Sequence, residues 1–342
     1  MFKLTASSSF SSICGKQFFL SDSIHIQTKP IKASILGSRT LLAGIGKFSK
    51  LSIPTRATRF FSQNGQVKAR WSDTFGRSAS ERYARLNRFQ MYQGNEGGRK
   101  NSIGQLTIIG LSVMGGVFFL SPYVFQYVPP FTYFRHNPSH LVYALLGINA
   151  AVFGLWQLPK YWRFLQRYML LEKDHIYSKW SLVGSAFSHQ EFWHLGMNML
   201  ALWSFGTSLA SILGASNFFS LYMNSALAGS LFSLWYPRIA RLAMTGPSLG
   251  ASGALFGVFG CFSYLFPHAK ILLFVFPIPG GAWVAFLAAT AWNAAGCVFR
   301  WGSFDYAAHL GGSLIGILYG WYISEIAKRQ REKRLRALSS WF

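Results

Sequence analysis

Apolar residues in this chain fall in long blocks, not in the brief bursts of a soluble helix or strand. Seven runs stand out: 104–125, 141–158, 192–213, 218–236, 249–266, 282–299 and 306–326. The sixth starts weakly at Ile271 and is interrupted by Pro277-Ile278-Pro279-Gly280-Gly281 before resuming at Ala282. Each run approaches the roughly 20 residues a helix needs to cross a hydrocarbon core. Backbone groups in lipid must pair within their own segment, so the runs predict helices. The expected fold class is all-α, a polytopic helical membrane protein. Pro122 lies near the end of the first run, Pro237 is expected to close the fourth, and the Pro-Gly stretch before Ala282 reads as a loop.

Composition agrees. The chain has 342 residues, 51% hydrophobic and 13% charged, too apolar for an ordinary soluble domain. The net charge of +23 is concentrated in the first hundred residues, in the connection 160–179 (Lys160, Arg163, Arg167, Lys173, Lys179) and in the tail Lys328-Arg329-Gln330-Arg331-Glu332-Lys333-Arg334. Such blocks read as membrane-flanking and targeting charge, with no nucleic-acid partner. Residues 1–61 are rich in Ser, Thr, Lys and Arg, with Asp22 their lone acid, the composition of an organellar transit peptide. Arg59-Phe60-Phe61-Ser62 resembles a mitochondrial processing site, which predicts the mitochondrial inner membrane; a plastid membrane is the alternative. The expected organisation is a transit peptide over 1–61, a basic soluble arm over 62–101, an N-terminal transmembrane helix over 102–128, a core over 139–326 and a basic tail over 327–342. Basic residues at both ends favour an even number of spans, yet seven runs are present; the 160–179 connection falls on the side of the N-terminal arm. Cys14, Cys261 and Cys297 form neither a disulfide framework nor a metal site, and no cofactor is implied.

Two polar residues in the apolar blocks carry the chemistry. Ser252 lies in Gly250-Ala251-Ser252-Gly253, and alone it reads as a small packing residue. His309 lies in Ala307-Ala308-His309-Leu310-Gly311-Gly312, where a titratable ring is costly. Gly312, Gly316 and Gly320 leave one face of that helix bare, able to meet the bare face around Gly253 and Gly257 and bring His309 to Ser252. A histidine within hydrogen-bond reach can take the serine proton and return it to a leaving amine. His194 and Asn198, at i and i+4 on one helix face, together with the Ser252 backbone N–H, are expected to stabilise the developing oxyanion; a simple interhelical hydrogen bond is the competing reading. Asp305 is expected as the N-cap of the last helix, giving a two-residue Ser-His system. His189 reads as a brace for its loop and His175 as a solvated loop residue.

These strings resemble the three signature helices of the rhomboid intramembrane serine proteases. Gly246-Pro247-Ser248-Leu249-Gly250-Ala251-Ser252-Gly253, Phe304-Asp305-Tyr306-Ala307-Ala308-His309 and Leu202-Trp203-Ser204-Phe205 look closest to the mitochondrial presenilin-associated rhomboid-like branch. The resemblance implies a six-helix core preceded by one extra helix. It also implies Ser252 as nucleophile, His309 as general base, and His194 with Asn198 in the oxyanion hole, supported by Gly250, Gly253, Phe256 and Gly312. The partners implied are transmembrane protein substrates and the lipid bilayer; oligomeric state is left open. There are two departures. Trp180 is followed by Ser181 where many rhomboids carry arginine, which leaves the first core loop without that anchor. Phe256 stands where many carry tyrosine, able to stack but not to hydrogen-bond.

Other readings remain. A rhomboid-fold protein that binds membrane clients without cutting them would normally have lost Ser252 or His309. A transporter using His194 and His309 as a proton path lacks obvious paired half-repeats. No His-Glu-x-x-His string supports a metalloprotease.

Overall fold

The computed structural model describes residues 102–173, 176–242, 246–273, 276–301 and 304–339. The expected transit peptide, the basic arm and His175 lie outside these. Seven main helices follow in order: α1 (Ile103–Tyr127), α2 (Pro138–Trp156), α3 (Phe192–Leu213), α4 (Ala215–Ile239), α5 (Ser252–Leu265), α6 (Gly281–Val298) and α7 (Tyr306–Ser339). The only strands among the described residues form a two-residue hairpin, Leu272–Leu273 against Phe276–Pro277.

By length and composition, four helices are apolar enough to cross a membrane: α1, α2, α3 and α6. Their outer faces carry large exposed apolar side chains such as Phe119, Trp193, Ile212 and Val298, as lipid contact requires. Helices α4, α5 and α7 do not meet that test: α5 has only 14 residues, while α4 and α7 carry small and polar residues on the faces by which the three pack together. Helix α4 buries Ser220, Asn224, Ser225, Ser230 and Ser233. A helix surrounded by protein can carry such residues, since small polar side chains let helices approach closely and bond to neighbours.

Two sequence expectations need correction, and two segments read only as a connection and a tail contain helix. The fifth run was expected to span from 249 to 266, but α5 has 14 residues, about 21 Å at 1.5 Å per residue. Gly250 adopts φ +116°, a conformation favoured only by glycine, so 249–251 form a loop and the helix begins at Ser252. Pro237 does not close α4, which continues to Ile239; its missing N–H forfeits a single intrahelical bond, to the carbonyl four residues back, and the helix runs on for two residues. The 160–179 connection contains a helix, Trp162–Met169. The basic tail is a continuation of α7 to Ser339, and its Ala, Leu, Lys, Arg, Gln and Glu residues are strong helix formers.

Helix α7 packs into the groove between α4 and α5 through its glycines. A methyl group on Gly312 would overlap the Gly253 carbonyl oxygen, one on Gly316 would overlap that of Gly257, and one on Gly311 would come within 2.6 Å of the Ala228 oxygen. Backbone therefore lies on backbone along this seam. Helix α1 packs on α4, with Gly110 against Leu231 and the Trp235 indole donating to Thr107 Oγ1 at 3.0 Å.

Candidate active site

The turn before α5 presents Ser252. The Gly250 N–H donates to the Ser185 carbonyl (2.8 Å) and the Ala251 N–H to His189 Nε2 (3.3 Å). His189 is fully buried. Burial and the neighbouring His194 push its pKa down to about 3, so it is the neutral ring that accepts from Ala251 and braces the turn. No side chain caps α5, so the unpaired N–H groups of its first turn stay available at Ser252. A side chain at position 250 would strike the His194 ring, with Cε1 at 2.7 Å and Nε2 at 2.9 Å. The glycine therefore admits His194 to the edge of the turn.

Packing of α7 against α5 brings His309 to this turn. Its Nε2 lies 2.8 Å from Ser252 Oγ, and the Phe256 ring stacks on the imidazole at 4.4 Å between centroids, 17° from parallel. The phenylalanine thus keeps the stacking position without a hydroxyl. On the other side, His309 Nδ1 lies 2.6 Å from Asn293 Oδ1 on α6. The sequence reading did not single out Asn293, although a signal was present: a carboxamide in the middle of an apolar run is costly without a partner.

Asn198 is buried and its Nδ2 donates to the His194 carbonyl at 2.7 Å, one turn back on its own helix. No hydrogen bond joins Asn198 or His194 to Ser252 among the described residues. Asp305 caps α7, with Oδ1 accepting from the Ala308 N–H at 3.3 Å. Its Oδ2 takes the Ser233 hydroxyl and an ion pair with Lys173 Nζ at 3.1 Å. Burial alone would raise its pKa, but Lys173 and the Ser233 and Ser248 hydroxyls outweigh that and hold the carboxyl below its ordinary value.

The same cluster accounts for the loop that lacks its arginine. Ser181 Oγ turns back to the Ser178 carbonyl (2.7 Å). The loop is anchored instead through Lys173, whose side chain reaches Asp305 and whose carbonyl accepts from Arg238 Nη2 at 2.9 Å. Leu171 and Ser248 exchange two backbone hydrogen bonds, at 3.1 and 2.9 Å. A cavity of ≈ 20 Å³ borders Ser252, lined in part by Ser185, Ser230, Ser248 and Asp305. That is enough for a water with several polar partners.

Comparison with known proteins shows the family of the chain. The rhomboid domain family matches residues 177–326. Rhomboid protein 1, mitochondrial, of Saccharomyces cerevisiae is 67% identical over 324 residues, covering 90% of this chain and 93% of that protein. Presenilin-associated rhomboid-like protein A, mitochondrial, of Danio rerio is 34% identical over 196 residues, 57% of this chain and 51% of the relative. RHOMBOID-like protein 12, mitochondrial, of Arabidopsis thaliana is 33% identical over 156 residues, 41% of this chain and 46% of the relative. The chain thus spans about half the length of these two more distant relatives. A helical bundle with an intramembrane protease-type fold, matched by mitochondrial relatives, identifies the chain as a member of the rhomboid family, a multi-pass protein of the mitochondrial inner membrane.

Proposed function

We propose that the protein is an intramembrane serine endopeptidase that cleaves transmembrane-anchored proteins. The observation that carries this reading is the Ser252 Oγ to His309 Nε2 distance of 2.8 Å, on helices held together by glycine packing. In the proposed reaction, Ser252 Oγ attacks the scissile carbonyl and its proton passes to His309 Nε2. The oxyanion is stabilised by the Ser252 N–H, the His194 ring and the free N–H of the Asn198 amide, where losing one donor typically costs about 10²–10³ in rate. His309 then gives its proton to the leaving amine. A water, deprotonated by His309, releases the acyl group from Ser252. The cavity beside Ser252 offers a polar place for that water. A helical substrate shields its own carbonyls, so cleavage is expected where helix-destabilising residues let it unwind.

The test uses purified protein in liposomes with a tagged transmembrane substrate. Ser252→Ala is expected to abolish both cleavage and labelling by a fluorophosphonate. Persistent cleavage by this variant would remove Ser252 from the mechanism. A folded wild-type protein that neither cleaves nor labels would favour a non-catalytic client-binding role.

A further inference from the structure

We propose that Asn293 is a positioning residue that fixes the tautomer and orientation of His309, an inference that rests on the serine-protease reading above. The Asn293 side chain is 4% exposed and has two polar ends, both engaged. Its Nδ2 donates to the Ala289 carbonyl at 2.8 Å, one turn back on α6. That bond sets the amide orientation, because the flipped amide would put its oxygen against the carbonyl oxygen. The Oδ1 end therefore faces His309 Nδ1, at 2.6 Å.

An amide oxygen only accepts, so Nδ1 must carry the proton. In the neutral ring Nε2 is then the free acceptor, the nitrogen that lies 2.8 Å from Ser252 Oγ. The opposite tautomer would leave an N–H facing the serine hydroxyl and no base for its proton. Asn293 thus acts from a third helix on the nitrogen distal to the reaction, as the orienting carboxylate does in soluble serine proteases. Because it is neutral and cannot take a proton, it orients the ring and stabilises the imidazolium by one dipole only. The stacked Phe256 constrains the ring plane, and the Asn293 bond constrains rotation within that plane. The other ionisable groups that act on His309 are Asp305, at the start of its own helix, and His194 on α3. The hydroxyl of Ser252 on α5 completes its surroundings.

The experiment compares wild type, Ser252→Ala, Asn293→Leu and Asn293→Asp in liposomes, by substrate cleavage and by fluorophosphonate labelling across pH. Asn293→Leu keeps the size but removes the acceptor. It is expected to lower kcat and labelling rate at least about tenfold while KM stays within about twofold, the pattern of a lost orienting contact. Asn293→Asp keeps the acceptor and adds a charge. It is expected to recover more rate than Asn293→Leu at neutral pH, and to move the acid limb of the labelling profile up by about one pH unit, since an adjacent anion favours the protonated ring. A merely structural role would leave that limb in place. Asn293→Leu within twofold of wild type, or an unmoved acid limb in Asn293→Asp, overturns the proposal. Cleavage by Ser252→Ala overturns the underlying reading instead, whatever the position-293 variants do. Should Asn293→Leu not fold, the acid limb of Asn293→Asp decides alone.

Discussion

Towards α4 and α5, helix α7 presents Gly311, Gly312 and Gly316, and backbone meets backbone. Towards α6 it presents Tyr306 and His309, and the contacts are made by side chains: the Tyr306 ring over Gly296, and Asn293 on His309. The two sides of one helix thus obey different rules. On the glycine side the Gly312 and Gly316 contacts are to carbonyl oxygens and no rotamer can relieve them, so the main-chain spacing of α5 and α7 is fixed there. On the α6 side each contact ends in a rotatable group. The rigid seam sets the backbone spacing of the helices that carry the two proposed reacting residues, and the adjustable seam holds the residue proposed to steer the ring.

The sharpest way to break this contrast is Gly312→Val. Its side chain would overlap the Gly253 carbonyl, one residue from Ser252, and neither backbone can move without parting the helices. Overpacking of this kind costs about 3 kcal/mol where relief is poor, and a displacement near 1 Å at a reacting pair costs about 10²-fold in rate. Thermal unfolding in detergent and fluorophosphonate labelling are both expected to report severe loss. Near-normal labelling would show that the seam yields, and the rigid reading of that side would fall.

Asp305 tests what secures the rigid side at its start. It ties α7 to Ser233 on α4 and to Lys173 in the connection between α2 and α3. Asp305→Asn leaves the buried Lys173 without its counter-charge, at a cost of about 3 kcal/mol. The pH dependence follows from the direction of the shift. The folded carboxyl is held below its ordinary value, outweighing burial, so its contribution is complete above the unfolded value of about 3.9 and is lost as pH falls through the lower folded value. The gap in melting temperature between wild type and Asp305→Asn is therefore expected to be full at pH 7 and to narrow only below about pH 4. A gap that stays constant into acid would show that the carboxylate charge does not contribute.

How far these features were legible in the sequence follows the same division. Helix positions came through because lipid demands long apolar runs, and the approach of α7 to α5 was readable because Gly312, Gly316 and Gly320 recur at every fourth residue. A small-residue loop with a hydroxyl at a helix start was legible in Gly250-Ala251-Ser252-Gly253, although the apolar run extends back to Leu249; the positive φ at Gly250 fixes where the helix begins. Asn293 was missed since its meaning depends on a partner on another helix, and a lone carboxamide in an apolar run has no periodicity to expose it. The anchoring of the loop through Lys173 was equally hidden. Leu171, Ser248, Arg238 and Asp305 meet there from four separate stretches of chain, and no local pattern links them.

The smallest effect is expected on the adjustable side, from Gly296→Ala. A methyl group there would come within 2.6 Å of the Tyr306 ring, nominally as severe as many contacts on the glycine side. The difference lies in what it meets. Tyr306 is the first residue of α7, and its Cγ and Cδ atoms can yield by a change about χ1, whereas the atom facing Gly312 is a carbonyl oxygen of a helix backbone. A shift of the ring is expected to limit the cost to about 1 kcal/mol, seen as a small fall in melting temperature. Labelling of Ser252 at saturating probe should stay within about twofold of wild type, since that small strain does not reach the seam where Ser252 and His309 meet. If Gly296→Ala were as damaging as Gly312→Val, α6 would have to be as rigidly seated as α5. The two sides of α7 would then differ in composition without differing in mechanics.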